Sequence, residues 1–275
     1  MVTELSAREV GGEATAFFSE AEGVRLLIPL IVRRVIGQVA DASTAPLDAT
    51  SPYGYPSPLL SSHAGSSDDS MERGLLAFVS GLRQRGIVAA FVRLHPLLSF
   101  PIETLTRVGE VVRHGDTVSV DLALSDEEIW AATSGFHRKS IQNAERLGYA
   151  ARMDPDWAQF DQFVEIYLQT MSRVGAAQFY RFSREYLVAL RQALGDKAHL
   201  CVVETKGVVA AAGLVTEVGG IVQIFLAGSR HEFLPHSPAK VMENFVRYWA
   251  KARGNRWFHL GGGVGASNDS LFQFK

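Results

Sequence analysis

Between residues 200 and 260 the order of elements leaves few ways to fold. The dipeptides Lys206-Gly207 and Gly219-Gly220 divide an apolar run into three stretches, 200–204, 208–217 and 221–227. Each stretch has the length of a strand, and the dipeptide in each gap is suited to a tight hairpin, so an antiparallel meander is predicted. Gly213 inside the middle stretch predicts a bulge or a close backbone approach. Ser237-Pro238 then opens a helix over 238–253. Val241, Met242, Phe245, Tyr248, Trp249 and Ala252 recur at helical spacing, and Gly254 closes it. A further strand is expected over 256–260. A helix that joins two strands in this way makes a crossover and lays them parallel. The sheet is therefore mixed, and the fold class is α+β.

Upstream, Asp154-Pro155 reads as an N-cap with proline at the first helical position. Trp157, Phe160, Phe163, Val164, Tyr167, Leu168 and Met171 follow with helical periodicity. A second helix over 183–194 ends at Gly195. Earlier still, 24–38 predicts one long or two joined strands, 41–67 a Pro- and Ser-rich loop, 68–85 a helix and 87–94 a strand. Residues 106–113 and 117–122 predict a hairpin turning at His114-Gly115-Asp116. Ser125 with Glu128 forms a capping box. A basic helix with His137, Arg138, Lys139 and Arg146 spans 136–147 and stops at Gly148.

Composition narrows the chemistry. A net charge of -2 gives no global field for nucleic acid, so duplex DNA is not an expected partner and any tRNA contact needs a local patch. The single cysteine, Cys201, lies in a strand pattern and excludes an internal disulfide and a Cys-rich zinc site. The histidines lack metal-ligand spacing, so no metal is expected. There is no G-x-S-x-G elbow and no partnered cysteine, which favours direct attack over an acyl-enzyme. The early apolar run 24–39 is broken by Pro29, Arg33 and Arg34 and is too short to span a bilayer. No secretory signal precedes it, and a cytoplasmic location is expected.

Four segments carry candidate site residues. The run Phe258-His259-Leu260-Gly261-Gly262-Gly263 ends a strand in glycines, whose missing Cβ atoms let backbone amides approach a ligand; a flexible turn is the plain alternative. Phe274-Lys275 adds an aromatic ring and a cation. Tyr53 and Tyr55, in Ser51-Pro52-Tyr53-Gly54-Tyr55-Pro56, can stack on a ligand or cover a core edge. Arg138 and Lys139 either meet an anion or form a solvated helix face. Lys240 sits beside the start of the 238–253 helix, where an anion is favoured. His259 faces either the cleft or the core.

The element order is similar to the GNAT acyltransferase fold. The motifs Ser51 to Pro56, His137 to Ala144, Ser237-Pro238-Ala239-Lys240, Phe258 to Gly263 and Asp269 to Lys275 resemble the Fem-type (FemABX-like) transferases and their BioF2-like acetyltransferase relatives. The resemblance implies two GNAT-like halves with mixed central sheets flanked by helices: residues 1–125, a basic connecting segment over 126–153, and 154–275. It implies transfer of an aminoacyl group from aminoacyl-tRNA to the amine of a peptidoglycan precursor or peptide-like metabolite, with no tightly bound cofactor. Phe274-Lys275 matches the pair associated in that family with the donor's acceptor end and with charge stabilisation. Arg138 and Lys139 match its basic helix at the substrate cleft. Family members continue past Phe-Lys and carry more elements at the front, so a chain truncated at both ends is expected.

The sequence leaves two donors open. CoA-dependent GNAT enzymes hold the pyrophosphate with a glycine-rich loop ahead of the helix. Residues 229–240 contain no glycine, and Pro235 and Pro238 remove amide donors. Acyl-CoA-dependent transfer to an amino sugar or small amine is the alternative enzyme, and a degenerate GNAT-like binding module the alternative without catalysis.

Overall fold

A computed structural model describes residues 1–35, 45–62, 68–263 and 268–275. The expected extension of the first strand to residue 38 and part of the 41–67 loop lie outside the described residues. The chain forms two compact units, Met1–Arg113 and His114–Lys275. The division falls ahead of residue 125, the expected end of the first half.

In the first unit, α1 (Val2–Glu9) leads into β1 (Glu13–Ala21) and β2 (Val24–Arg34), an antiparallel hairpin turning on Glu22 and Gly23, both at positive φ. Then come β3 (Leu47–Thr50), β4 (Leu59–Ser62), α2 (Asp68–Gln84), β5 (Ile87–Phe91) and α3 (Ile102–Thr106). The strands lie in the order β1-β2-β3-β5, with β4 also on β2 and β3 parallel to β5. Alternate residues of β2, Leu26, Ile28, Leu30 and Val32, pack with Leu75 and Phe78 of α2, the period of two that a half-covered sheet requires. Two short strands, β3 and β4, stand within the stretch expected to be loop. Pairing with β2, not local propensity, makes them strands.

The second unit opens with β6 (Val118–Asp121), α4 (Asp126–Ala132), α5 (Gly135–Arg146) and β7 (Ala150–Met153). It continues with α6 (Phe160–Arg173), α7 (Arg184–Leu194), β8 (Ala198–Thr205), β9 (Val208–Val218) and β10 (Ile221–Ser229). A 3-10 turn (His231–His236), α8 (Pro238–Ala252), β11 (Trp257–Gly261) and α9 (Ser270–Phe274) follow. The strand order is β6-β11-β10-β9-β8-β7, with β10 and β11 parallel and the other pairs antiparallel. Lys206, Gly207, Gly219 and Gly220 all take positive φ, as the two tight turns demand.

Helices cover both faces of this sheet. A Cβ on Gly213 would stand 2.9 Å from the Met242 sulfur of α8, the close approach foreseen at that position. A Cβ on Gly228 would meet Thr170 Oγ1 at 2.7 Å and the Ile166 carbonyl of α6 at 2.8 Å. Met242, Val246 and Ala250 of α8 bury Phe258 and Leu260, with Ile129 and Ala144 closing the same core.

Two expectations change. The 106–122 hairpin does not form: β6 pairs with β11, and residues 110–117 carry no strand. The helix expected from 155 begins at Phe160, because the buried Asp154 carboxylate accepts the Gln159 amide at 2.7 Å and Trp157 takes positive φ. The aspartate caps a turn that leads into the helix. Among the described residues no helix is long and apolar enough to cross a membrane.

Candidate functional site

The second unit gathers its charged and glycine-rich motifs at one end of the sheet. β10 and β11 register only over Ile221–Trp257, Val222–Phe258 and Gln223–His259. β10 nevertheless runs on to Ser229 and β11 to Gly261. The two parallel strands thus part beyond Gln223. An irregularity between Ile224 and Leu226 bends β10 at the parting point. Backbone groups along the parted segments are left to a ligand or a side chain.

α8 starts at this end. Ser237 caps it in the left-handed region (φ 52, ψ 51), and Pro238 takes the first helical position, where its missing N–H costs nothing. Lys240 follows in the first turn and is only 3% exposed. Its ammonium donates to the Phe274 carbonyl at 2.5 Å and stands 3.7 Å from the centre of the Phe274 ring. Burial pushes Lys240 down to about 8, and nearby Glu243 pulls the other way. At the last residue, Lys275 Nζ donates to the Gly262 carbonyl at 2.6 Å. Burial lowers the Lys275 pKa as well, against Glu243 and Asp269. Gly262, Lys240, Phe274 and Lys275 thus form one cluster, with Gly261 (φ 76) leading into it.

α5 forms a second wall. Ser134 caps it by accepting the His137 amide. The half-buried His137 imidazole is pushed down by burial and by the Lys240 charge, and a hydrogen bond to the Gln273 backbone opposes both. Arg138 turns away from the cluster: its Nη1 donates to the Trp130, Ala131 and Thr133 carbonyls at 3.1, 2.9 and 2.6 Å. It therefore caps the end of α4, whose last carbonyls have no helical partner. Lys139 is exposed. The other half of α5 faces the start of α8 across a surface cavity of ≈ 410 Å³, lined among others by Asn143, Arg146, Pro235 and His236.

His259 is 0% exposed, with Nδ1 2.9 Å from Ser119 Oγ on β6. Its neighbours Phe258 and Leu260 face α8, so alternation turns His259 to the opposite face of the sheet, away from the lysines. Tyr53 and Tyr55 belong to the first unit, both half-buried, with the Tyr55 ring 6.0 Å from His95 in an edge contact. Gly263 lies at the edge of the described residues and is half-buried. The Cys201 thiol is pushed up to about 12 by burial, which removes it as a nucleophile. Among the described residues no group of His, Cys, Asp or Glu is arranged to hold a metal.

Two further side chains belong to this neighbourhood. Glu243 lies one turn beyond Lys240 on α8 and is half-buried. Burial raises it to about 7, against the charges of Lys240, Lys275 and Arg247. Arg247, one turn further on and 7% exposed, donates to Thr133 Oγ1 at 2.7 Å and to Asn244 Oδ1 at 2.5 Å, with the Tyr248 ring 4.9 Å away. The signal in the sequence was the charged stripe Lys240, Glu243, Arg247 at i, i+3, i+7 on an otherwise amphipathic helix.

A model of the acetyltransferase (GNAT) domain matches residues 133–270. No curated protein sequence matches the chain significantly. Among solved structures, FemX superposes with a TM-score of 0.70 at 12% identity, over 96% of this chain and 83% of that one. The C-terminal domain of a putative lysylphosphatidylglycerol synthetase from Agrobacterium fabrum gives 0.59 at 15% identity, covering 99% and 78%. A conserved protein of unknown function from Bacteroides thetaiotaomicron gives 0.55 at 10%, covering 94% and 82%. These likenesses are likenesses of fold. The matched domain takes in α5, the meander, the parted strands, α8 and β11, which is half the chain and all but the last residues of the lysine cluster. On that match the chain belongs to the GNAT acetyltransferase family, and it is an acyltransferase.

Proposed function

We propose that the protein transfers an aminoacyl group from aminoacyl-tRNA to the amine of a cell-wall precursor or peptide-like metabolite, by direct attack in a ternary complex. The observation that carries the donor reading is the segment before α8. It is a 3-10 turn with Pro235 inside and Pro238 after it, and it has no glycine. A pyrophosphate cradle needs backbone amides that a ligand can approach, and this segment offers few. The resemblance of Phe274-Lys275 to the Fem-type pair points the same way.

In this reading Lys275 steadies the negative charge that develops on the attacked carbonyl, where a preplaced donor is worth most. Phe274 offers its ring to the terminal base of the donor. Lys240 holds an anionic group of the donor, and exposed Lys139 meets its phosphates. Gly261, Gly262 and Gly263 keep the floor low enough for both substrates. Arg138 fixes α5 in place and His259 fixes β11 to β6, so both act through position.

Acyl-CoA-dependent transfer is the second reading. The family match favours it, and so does the cavity beside the start of α8. A mass-spectrometric panel of amino sugars, peptidoglycan-precursor peptides and small amines, run with charged tRNA and with acetyl-CoA in parallel, separates the two. The expected result is an aminoacyl mass increment in the tRNA arm alone. An acetyl increment with no aminoacyl product would transfer the assignment to acyl-CoA.

A further inference from the structure

α9 has little apolar anchorage. Five residues are too few to hold a helix by their own hydrogen bonds. Leu271 and Gln273 are exposed, and Phe272 and Phe274 are only half-buried. Polar contacts fasten it instead. At its start the Asp269 carboxylate accepts the Phe272 amide at 2.9 Å. At its end Lys240 donates to the Phe274 carbonyl at 2.5 Å, and the adjoining Lys275 donates to the Gly262 carbonyl at 2.6 Å. His137 adds a hydrogen bond to the Gln273 backbone. The contact between Lys240 and Phe274 closes both groups to other partners. Lys240 is 3% exposed, and its ammonium covers one face of the Phe274 ring, 3.7 Å from the ring centre. An ammonium held by a carbonyl and a ring gains by exchanging them for an anion.

We propose that α9 is a latch: without donor, Lys240 and Phe274 satisfy each other and hold α9 against the start of α8, and an anionic group of the donor opens it by taking the Lys240 ammonium. The inference rests on the donor roles given above to Lys240 and Phe274. While α9 is docked, neither role is open. The ammonium is covered, and it occupies a ring face on which a base would stack. The donor therefore has to part the two groups before either can hold it, and one exchange frees both. The exchange leaves nothing stranded. The ammonium keeps a partner in the anion, and the Phe274 carbonyl passes to water with a helix whose side chains are already largely at the surface. An anion that binds only the open form draws the equilibrium toward it by its affinity for that form. The closed form keeps the lysine cluster shielded until a donor arrives.

Hydrogen exchange of residues 271–275, read by mass spectrometry on the full chain after millisecond labelling, tests the latch. Without ligand, Lys240→Met is expected to speed exchange there by about tenfold over the wild type. Equal rates overturn the proposal. Phe274→Leu removes the ring under the ammonium and keeps the carbonyl; it is expected to act in the same direction and replaces Lys240→Met if that variant does not fold. Uncharged tRNA and CoA then serve as probes. A probe that binds the wild type is expected to speed exchange at 271–275, and unchanged or slower exchange in the bound state overturns the latch. Gln273→Gly loosens α9 at an exposed, uncharged position and leaves Lys240 in place. It is expected to bind the same probe about 2–5-fold more tightly, because less of the affinity goes into opening. If α9 were only part of the binding surface, that substitution would weaken binding or leave it unchanged, and either result overturns the latch. If neither probe binds the wild type, the donor reading fails, and the ligand-free comparison alone decides for or against the latch.

Discussion

Lys275 and Arg138 look alike in the sequence, as basic residues in motifs, yet the fold treats them oppositely. The Lys275 side chain hydrogen-bonds a single carbonyl, so Lys275→Ala is expected to cut turnover by about 10²–10³-fold, with the thermal midpoint nearly unchanged. A full-rate alanine variant in the mass-spectrometric assay would remove it from the site. Arg138 closes three carbonyls at the end of α4, so Arg138→Ala is expected to cost about 1.5–3 kcal/mol in denaturant unfolding. Glu243 behaves differently again. Its folded pKa is raised to about 7 by burial, so the folded state binds the extra proton between the unfolded carboxylate value and that pH. Its contribution to stability is full below the unfolded value and is lost as pH rises through about 7. Glu243→Gln should therefore stabilise the protein against denaturant more at pH 8 than at pH 5, by a margin of about 2 kcal/mol. Equal shifts at both pH values would count against a raised carboxyl. Gly261 to Gly263 and Phe274-Lys275 stand out in the sequence because each is a compact motif. Glu243 does not, since an acid between two bases on one helix looks like a solvated charged stripe until the elements packed around it are known.

Elements set by local chemistry were readable, and elements set by partners were not. The meander, its two glycine turns, α7 and α8 follow from periodicity and caps that act within a few residues. The strands β3, β4, β6 and β7 have four residues each and exist because a neighbouring strand supplies their hydrogen bonds. Nothing in 118–121 names β11, more than a hundred positions away in the chain, as its partner. Helix placement on the second sheet gives a sharper test. Gly228→Ala drives a methyl into the Ile166 backbone carbonyl, which cannot turn aside, and should destabilise by about 1–3 kcal/mol. Gly213→Ala meets the flexible tip of Met242 instead and should cost less than half of that. Denaturant midpoints of the two variants, measured side by side, check the order, and the reverse order would mean that α6 yields more readily than α8.

Every strand pair of the first sheet lies within residues 13–91 and every pair of the second within 118–261 among the described residues. Each unit also has its own buried cluster. A polypeptide restricted to His114–Lys275 is therefore expected to fold alone, with a dispersed amide spectrum and a cooperative melt; a collapsed spectrum would show that its core is incomplete. The resemblance implies two halves, and where one unit gives way to the other depends on β6 pairing with β11, which nothing local in the sequence fixes. The same separation of hydrogen bonding has an evolutionary consequence. A chimaera that replaces the first unit with that of a distant homologue inherits, unbroken, the carbonyl contacts that fasten both lysines, so variation in one unit can accumulate while the polar cluster of the other stays as it stands.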